Sequence, residues 1–536
     1  MNPQGKIYLC NVPFKNDYKN QFKFSSLNNQ NNYFTSIANK SYSDYNYMRK
    51  DRVIVVDDHI DNIINNNYLF YQNTGKTTKW YYCFITSMEY VNDSATRIFI
   101  ETDVWQTWCF DLNFNTCFVE REHVNSDSVG LHTVPENVET GSYIASSSVN
   151  LYTGADTTLI AISSTWQPPE VALNTATTQY NGVYSGTSIL VFETPLGASN
   201  YLRAMDELGK NESVTGVFLI PTALAGDVTW QVTDIDVGSN SITTKIGKIP
   251  LSSSVTTLAT SSNITRPSTI DGYSPKNNKL FTYPYNYFYV SNNVGSDVEF
   301  KYEDFINNVG SFRTVGSLTP GCSIRCVPLN YKKLSDSGSS LNSYNSGITG
   351  AKYPICSWSS DVYTNWLTQN GVNMGLSVVG STLAIAGGVG LMLTGAGAVA
   401  GVGAVAGGVM GIANTLAKNY EHSFTPPQAQ GNQNAGDVTF SANKMNIPAY
   451  KMTIRSEYAR IIDEYFTMFG YKINRVKKPN LTGRANWNFI KTIDCNFTGN
   501  IPQDDLTLIR TIFDSGITLW HNPSNIYNYS ANNGII

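Results

Sequence analysis

The chain has 536 residues, a formal net charge of −4, and charged side chains at only 15% of its positions. Its length exceeds that of a usual single domain and predicts about two to four domains. The small negative charge excludes a protein that is drawn to nucleic acid or anionic lipid by its net charge. The 33 tyrosines and the many asparagines are typical of polar, aromatic β-structure.

The N-terminal sequence and the cysteines indicate an intracellular folding environment. The segment MNPQGKIYLC has neither a basic n-region nor an apolar h-region, so we expect no secretory signal and a chain that folds where it is made. The eight cysteines are scattered, which predicts reduced structural thiols. Cys322 and Cys326 are close in sequence, but no nearby His or Cys pair completes a zinc set. We therefore predict neither a metal nor a cofactor.

Short strands are predicted along the first half of the chain. Residues 79–90 and 96–103 are rich in aromatic and β-branched residues and flank a polar turn, which predicts a hairpin. Further strands are predicted at 158–164, 188–193, 217–220 and 241–249. Strands at this spacing favour sandwiches or barrels over alternating β and α units.

An apolar segment then interrupts the polar sequence. No charged residue occurs between Asp361 and Lys418, and residues 374–417 consist mainly of Gly, Ala, Val, Leu, Ile and Met. The segment, which we call the apolar arm, can cross a bilayer twice, because one helical crossing needs roughly 20 residues. Each glycine costs about 1 kcal/mol in a helix, so membrane insertion is expected to be conditional.

The apolar arm supplies the candidate functional residues. Its larger apolar side chains are predicted to insert into a membrane: Met374, Leu376, Val378, Val379, Leu383, Ile385, Val389, Leu391, Met392, Leu393, Val399, Val402, Val405, Val409, Met410 and Ile412. Glycines at small-xxx-small spacing are predicted to pack helices together: Gly397, Gly401, Gly403, Gly407 and Gly411. A buried hairpin in a soluble core and a permanent membrane anchor are the alternatives.

Polar stretches are predicted to act as loops or linkers. Residues 335–350 precede the arm, and PPQAQGNQNAG at 426–436 follows it, so the arm is expected to be flexibly tethered at both ends. Residues 252–269 are also predicted to form a loop or linker.

Two amphipathic helices are predicted after the arm. The first is capped by Ser456 and ends before Gly470, with a buried face of Tyr458, Ile461, Ile462, Tyr465, Phe466 and Phe469. The second starts at Pro502 and stops at Gly516, with a buried face of Leu506, Ile509, Ile512 and Phe513.

The sequence shows no catalytic constellation, and we predict a protein that is not an enzyme. The five histidines are dispersed and are expected to be structural. The adjacent carboxylate pairs at 57–58, 463–464 and 504–505 are interpreted as solvated or dipole-favoured charges. The basic patch of Arg475, Lys477 and Lys478 is interpreted as an exposed face paired with a neighbouring subunit, because three charges bind DNA weakly.

Several sequence blocks resemble one protein family. They are NVPFKNDYKNQ (11–21), KWYYCFITSMEY (79–90), ETDVWQTWCF (101–110), FVEREHV (118–124), FGYKINRVKKPNL (469–481), LIRTIFDSGITLW (508–520) and, more weakly, KLFTYPY (279–285). Together they resemble the distal tail knob protein of small short-tailed phages that infect Gram-positive bacteria. Most of residues 130–360 has no match.

The resemblance implies a hexameric, largely β tube at the tail tip, with long apolar loops that plug the tube and then enter the host membrane. The apolar arm sits where that family has the loop. The expected fold class is therefore mainly β with a few helices, a β-rich α+β chain forming a tail-tube-like barrel or sandwich protomer. The expected divisions are an N-terminal tube region, a central β domain, a second central β domain with a linker, the tethered arm, and a C-terminal segment that completes the tube: 1–130, 131–270, 271–360, 361–436 and 437–536.

The function implied is that of a virion structural protein and conduit for DNA ejection. The expected partners are five further copies, the upper tail or connector proteins, a tail-tip cell-wall-degrading protein, the host membrane, and DNA that passes through the lumen without specific binding. The expected location is the distal end of the tail, after synthesis in the host cytoplasm. A receptor-binding adhesin and a cell-wall hydrolase are the alternative functions.

Overall fold

The computed structural model describes residues 5–43, 45–48, 51–73, 77–153, 158–169, 171, 179–180, 183–184, 188–249, 256–316, 324–329, 331, 348–349, 355–356 and 446–536. Two units share the chain. Unit 1 is assembled from three separated segments, Met1–Gly141, Gly272–Pro284 and Arg455–Ile536. Unit 2 comprises Ser142–Asp271 and Tyr285–Ile454.

In its described residues, the first segment of unit 1 contains ten strands and two α-helices. The strands are β1 (Lys6–Cys10), β2 (Asn20–Phe22), β3 (Ala38–Tyr42), β4 (Tyr45–Met48), β5 (Val53–Val56), β6 (Tyr68–Gln72), β7 (Trp80–Asn92), β8 (Ala95–Thr102), β9 (Leu112–Phe114) and β10 (Cys117–Glu122). The helices are α1 (Leu27–Ile37) and α2 (Val104–Trp108). Most of these strands form a seven-stranded sheet in the order β3-β1-β6-β7-β8-β5-β4.

The predicted hairpin is confirmed within this sheet. Strands β7 and β8 pair antiparallel, from Cys83 opposite Thr102 to Asn92 opposite Ala95. Helix α1 is not predicted from the sequence; Ser26 caps it by accepting a hydrogen bond from the backbone N of Asn29 at 3.2 Å.

Unit 2 contains the strands of the middle of the chain. They are β11 (Tyr143–Tyr152), β12 (Thr158–Ser164), β13 (Gln179–Tyr180), β14 (Val183–Tyr184), β15 (Ser188–Phe192), β16 (Val214–Pro221), β17 (Thr229–Asp236), β18 (Ser241–Lys248), β19 (Thr256–Ile264), β20 (Asn286–Ser291), β21 (Asp297–Phe300), β22 (Gly310–Gly316), β23 (Ile324–Pro328), β24 (Ile348–Thr349), β25 (Ile355–Cys356) and β26 (Ile447–Ile454). Helices α3 (Pro195–Glu207) and α4 (Thr222–Ala225) accompany them.

These strands form three larger sheets and one short hairpin. The orders are β17-β18-β15-β12-β16-β25, β11-β26-β20-β21, β19-β22-β23-β24 and β13-β14. An aromatic cluster lies in the core, where Phe288 contacts the rings of Tyr302, Phe305 and Phe312 at centroid distances of 4.1, 6.2 and 6.0 Å. Gly310 permits this packing, because a Cβ there would lie 2.6 Å from the Phe288 ring.

The prediction of a loop or linker over residues 252–269 is wrong for residues 256–264, whereas residues 265–269 contain no helix or strand and residues 252–255 lie outside the described ranges. Strand β19 spans Thr256–Ile264 and pairs antiparallel with β22, from Thr256 opposite Gly316 to Ile264 opposite Gly310. The segment is rich in Ser and Thr, and the β-branched threonines suit a pleated strand once a partner strand supplies the ladder. A polar composition is therefore not sufficient to identify a linker in this chain.

The last segment of unit 1 contains α5 (Ser456–Phe469), β27 (Tyr471–Lys477), β28 (Trp487–Ile493), β29 (Phe497–Gly499), α6 (Gln503–Ser515) and β30 (Ile517–Trp520). A five-stranded sheet in the order β2-β30-β28-β10-β27 joins it to the first segment, and β29 pairs with β9. Strand β10 pairs antiparallel with both β27 and β28, while β2 pairs parallel with β30. The two ends of the chain thus build one sheet.

The two helices differ in how well their faces are predicted. Helix α6 buries Leu506, Ile509, Ile512 and Phe513 as expected and ends at Gly516. Helix α5 covers the predicted range, but its N-cap is Arg455 rather than Ser456. Its buried residues are Ala459, Ile462, Asp463 and Phe466, so only Ile462 and Phe466 of the predicted face are buried.

Ile461 corrects the predicted face of α5, because its side chain is 65% exposed. Asp463 takes the inward position instead, where donors from another segment satisfy its carboxylate. The predicted fold class, mainly β with a few helices, is confirmed by these elements.

Candidate functional site

The predicted membrane-inserting residues and helix-packing glycines of the apolar arm all lie outside the described residues. Among the residues that the structure does describe, no helix combines the length and apolar character needed to cross a bilayer. Within the same ranges no group of three or more His, Cys, Asp or Glu side chains is arranged to hold a metal ion.

Unit 1 contains a buried polar site where its three segments meet. We call it the three-segment joint; it comprises Arg121, Glu122, His123, Asp127 and Glu136 of the first segment, Tyr273 and Lys276–Lys279 of the second, and Asp463, Thr467, Gly470, Tyr471, Lys472, Lys477 and Asn480 of the third. Charged side chains are seldom fully buried unless they are paired. The fold of unit 1 therefore depends on specific pairing of the buried charged groups in this joint.

Glu136 is the ionic centre of the joint. Its side chain is fully buried and accepts hydrogen bonds from the guanidinium of Arg121, the ammonium of Lys279 and, at 2.9 Å, the backbone N of Lys472. One carboxylate thus contacts all three segments. Burial lowers the pKa of Lys279, and the charge of Glu136 opposes that shift.

Asp463 is the second buried carboxylate of the joint. It accepts hydrogen bonds from the Tyr273 hydroxyl at 2.7 Å, the backbone N of Lys276 at 2.8 Å, and the backbone N of Asn277 at 3.0 Å. The side-chain amide of Asn277 donates to it at 2.9 Å and to Thr467 at 2.9 Å. The interpretation of Asp463 as a solvated helix-end charge is wrong, because these donors replace water.

Asp127 ties the first segment to the other two. It accepts hydrogen bonds from the backbone N of Asn278 at 3.0 Å and from the Tyr471 hydroxyl at 2.8 Å. Burial raises the pKa of Asp127, and the hydrogen bonds from Asn278 and Tyr471 counteract the shift.

His123 has a structural role in the joint, as expected for a dispersed histidine. Its Nδ1 accepts a hydrogen bond from the backbone N of Phe489 at 2.8 Å, so Nε2 carries the proton and donates to the carbonyl of Thr467 at 3.1 Å. Burial, followed by the nearby charge of Arg484, lowers the pKa of His123 to about 3. The imidazole is therefore neutral at physiological pH.

Gly470 allows α5 to turn directly into β27 beside the joint. Its φ is +65°, and a Cβ at this position would lie 2.2 Å from the carbonyl oxygen of Glu122. The close approach lets Arg121 donate to the Gly470 carbonyl at 2.7 Å. Only glycine satisfies both the backbone conformation and the space.

The other predicted carboxylate pairs have different surroundings. Asp58 is held by hydrogen bonds from Tyr42 and Asn62 at 2.7 Å each, and the Asn62 bond is the main cause of a pKa lowered to about 2. Asp504 is exposed in the first turn of α6, in agreement with a dipole-favoured charge. Asp505 accepts a hydrogen bond from the indole of Trp108 at 2.9 Å.

The basic patch is only partly as predicted. Arg475 and Lys478 are exposed, but Lys477 forms an ion pair with the buried Glu122 of the same chain. The interpretation of Lys477 as a cation that pairs with a neighbouring subunit is therefore wrong. Glu122 also accepts a hydrogen bond from the backbone N of Asn480 at 2.8 Å, which folds the end of β27 over it.

An exposed apolar row crosses the five-stranded sheet next to this patch. Val476, Phe118 and Ile493 stand side by side on β27, β10 and β28, since Phe118 pairs with both neighbours. Their exposed fractions are 72%, 37% and 50%. In-register residues of adjacent strands share a face, so the three side chains form one surface, which we call the apolar row. Aligned exposed apolar side chains of this kind often mark protein contact sites.

Sequence reasoning missed the joint because its partners lie in separate segments. Glu136 and Lys279 have no local pattern that links them, although Lys279 opens the KLFTYPY block. The one local signal is Asp463, an acid that falls between Ile462 and Phe466 where α5 buries its inner face.

Comparisons with known proteins place the chain among phage tail proteins. The family described as "Bacillus phage phi29, Tail knob protein gp9, C-terminal domain" matches residues 253–534. A second family, "Caudoviral major tail protein N-terminus", matches residues 6–113.

Individual relatives match this chain over nearly its whole length. The tail knob protein gp9 of Bacillus phage PZA is 29% identical, with 98% of this chain and 97% of the relative covered. The tail knob protein gp9 of Bacillus phage phi29 is 28% identical over the same shares. The solved structure of the bacteriophage C1 tail knob protein, gp12, matches with a TM-score of 0.57 at 15% identity, covering 99% of this chain and 100% of that one. The structural match supports the fold.

Proposed function

Because this chain belongs to the family of the phage phi29 tail knob protein, and is thus a structural component of a phage tail, we propose that six copies form the distal tail tube through which DNA is ejected. In this proposal the apolar arm plugs the tube and then enters the host membrane to form a channel. The protein performs no catalysis. It binds upper tail or connector proteins and a tail-tip cell-wall-degrading protein.

The observation that carries the membrane role is the charge-free sequence between Asp361 and Lys418. Roughly fifteen large aliphatic side chains in one arm each favour the membrane by about 0.3 to 0.6 kcal/mol, which gives only several kcal/mol before the cost of the glycines. A single arm is thus marginal as a membrane hairpin. Several arms held together in a ring can pack through their glycines and insert together.

The apolar row supports a contact between copies. It is flanked by the exposed cations Arg475 and Lys478. Exposed Ile461 on α5 is flanked by the exposed acids Glu457 and Glu464. A ring needs two different, complementary surfaces on each copy. We assign the apolar row to one of them and the Ile461 face of the next copy to the other, because both have exposed apolar centres and Glu457 and Glu464 beside one can pair with Arg475 and Lys478 beside the other.

DNA is proposed to pass through the lumen of the tube without binding tightly to its wall. The net charge of −4 supplies no general attraction to phosphate, and Lys477 is already paired with Glu122. Without a net positive charge, the chain gains little from the release of counterions from DNA, which is the main source of nonspecific affinity.

Dye release from vesicles tests the membrane role. Phosphatidylglycerol–phosphatidylethanolamine vesicles filled with a quenched dye are mixed with the full-length protein, with a variant lacking residues 374–417, and with Leu391→Asp combined with Val405→Asp. Thr229→Asp combined with Val232→Asp is the control, because it adds the same charge at exposed positions outside the arm.

We expect release by the full-length protein and the control, and at least a tenfold loss for the two arm variants. Each variant is first checked for native mass and thermal stability, so that a folding defect is not mistaken for a membrane defect. Release by a correctly assembled arm deletion would rule out the proposed role of the arm.

A further inference from the structure

We propose that Cys117 and Cys495 form an intramolecular disulfide under oxidising conditions, which links the first and last segments of unit 1 covalently. The inference concerns a modification site, and its chemistry is independent of the proposed channel. Both side chains are buried, and both cysteines are free thiols in the structure.

Strand register places the two cysteines together. Phe114 pairs with Phe497 in the β9–β29 ladder, and Phe118 pairs with Ile493 in the β10–β28 ladder. The two antiparallel ladders have the same register, so Cys117 lies opposite Asp494, with Cys495 as its diagonal neighbour. Opposed residues of antiparallel strands have Cα atoms about 4.5 to 5.5 Å apart, and one further residue along the strand adds about 3.4 Å at right angles, which places the Cα atoms of a diagonal pair about 5.6 to 6.5 Å apart. Disulfides bridge Cα atoms about 4.4 to 6.8 Å apart.

The backbone between the ladders turns the two thiols toward each other. Asp494 has a φ of +53°, in the left-handed region, which interrupts the side-to-side alternation just before Cys495. The pKa of each of the two thiols is influenced by the other thiol, as expected for sulfur atoms that lie close together. Forming the bond therefore requires a small side-chain adjustment rather than movement of a strand.

The surrounding packing holds this geometry. The backbone N of Cys495 donates to Asp514 at 3.3 Å, and the Thr492 hydroxyl donates to the same carboxylate at 2.6 Å. On the other side, the rings of Phe114 and Phe497 are in contact at a centroid distance of 4.8 Å. The backbone of Cys495 and the Phe114–Phe497 pair beside the two cysteines are thus fixed.

The chemistry requires a two-electron oxidant, such as hydrogen peroxide. The Cys117 thiolate attacks a peroxide oxygen, which releases water and leaves a sulfenic acid. The Cys495 sulfur then displaces the hydroxyl group, so that one S–S bond forms, two thiol protons end in water, and peroxide is reduced to two water molecules in all.

Burial slows this reaction but does not prevent it. Burial raises the pKa of both thiols, so little thiolate is present at neutral pH. The pair therefore stays reduced during folding in a reducing cytoplasm and oxidises slowly outside the cell. Once formed, the bond joins residues far apart in sequence, and such a link restricts the unfolded chain strongly.

The experiment uses the full-length protein purified under reductant and then incubated with hydrogen peroxide or oxidised glutathione. Free thiols are alkylated after denaturation, and the protein is digested without reduction for mass spectrometry. Expected are a cross-linked peptide pair that contains Cys117 and Cys495 and a thermal unfolding midpoint several degrees higher than in the reduced sample.

Variants separate a specific bond from general oxidation. Cys117→Ser and Cys495→Ser should each lose both the cross-link and the shift, whereas Cys326→Ser, which removes a buried thiol of unit 2, should retain them. The mapping in the unsubstituted protein needs no variant, so a variant that fails to fold leaves the test intact. Full alkylation of both cysteines after oxidant treatment, or pairing of either one with a different cysteine, would overturn the proposal.

Discussion

The three-segment joint of unit 1 and the aromatic core of unit 2 are both buried, but different kinds of interaction stabilise them. In the joint, Glu136 and Asp463 accept directional hydrogen bonds from donors in other segments. In unit 2, Phe288 packs among the rings of Tyr302, Phe305 and Phe312. One region is specified by charge and geometry, and the other by shape and volume.

The difference follows from how each unit is assembled. Unit 1 must bring together three segments that are far apart in the chain, and a buried ion accepts only the arrangement that satisfies it. Apolar clusters tolerate changes of side chain as long as volume is kept. We therefore expect the joint to respond to near-isosteric loss of charge and the unit 2 core to respond to loss of volume.

The largest effect is expected for Glu136→Gln. The change keeps the size of the side chain but leaves Arg121 and Lys279 buried without a counter-charge, which should cost about 5 kcal/mol. Hydrogen exchange in peptides of β10 and α5 measures the loss. Exposed Glu139 is the matched control, and Glu139→Gln should change exchange by less than about 0.5 kcal/mol. Equal effects of the two substitutions would show that Glu136 is not the centre of the joint.

The core of unit 2 should lose nearly as much through Phe288→Ala. Removing this fully buried ring leaves a cavity, for which about 4 kcal/mol is expected. Val232, which is 68% exposed on β17, provides the control substitution Val232→Ala. Hydrogen exchange in β20 and β22 is the measurement; a small effect there would mean that the cavity collapses or that the ring is not a packing centre.

A smaller effect distinguishes two neighbouring acids on α5. Asp463→Asn turns an amide toward the donors of Tyr273 and Lys276 and should cost about 3 kcal/mol. Glu464→Gln, at the adjacent exposed position, should be nearly neutral. Urea unfolding of both variants gives the comparison. If Glu464→Gln proved the more harmful change, the inward position of Asp463 would be wrong.

The smallest effect concerns pH. The pKa of His123 is about 3 in the folded chain, below its ordinary value near 6.5, so the unfolded chain takes up the proton first as pH falls. His123 thus contributes stability above pH 6.5 that is lost progressively between pH 6.5 and 3, by about 2 kcal/mol between pH 7 and 5.

Urea midpoints at pH 7 and pH 5 measure this contribution. In His123→Gln the difference between the two pH values should shrink by that amount, whereas His59→Gln serves as a control at a partly exposed histidine. An unchanged pH dependence in His123→Gln would contradict a neutral buried imidazole.

How much of the molecule is predictable depends on whether its signals are local. The buried face of α6 is predicted correctly, because its apolar spacing and its terminal Gly516 act within one helix. The face of α5 is mistaken, because Asp463 is held inward by donors nearly two hundred positions away. Strand β19 is missed because it also depends on a distant partner. Its polar sequence does not indicate a strand, and the backbone hydrogen bonds that stabilise it are made with β22.

The candidate sites also differ in whether a local sequence signal reveals them. The apolar arm is recognisable from sequence, because absence of charge is a property of one continuous segment. The joint and the apolar row arise only when separate strands and segments meet, as when Phe118 pairs with both Val476 and Ile493. No local pattern encodes these pairings.

The mass of the purified full-length protein in solution, measured by mass photometry with electron microscopy of the same sample, tests the proposed tube most directly. We predict a ring of six copies with a central channel, and dissociation to smaller species in Val476→Asp and Ile461→Asp without loss of thermal stability. Val232→Asp, at an exposed site in unit 2, should leave the ring intact. A stable monomer or dimer at micromolar concentration, with no ring in the images, would contradict the account.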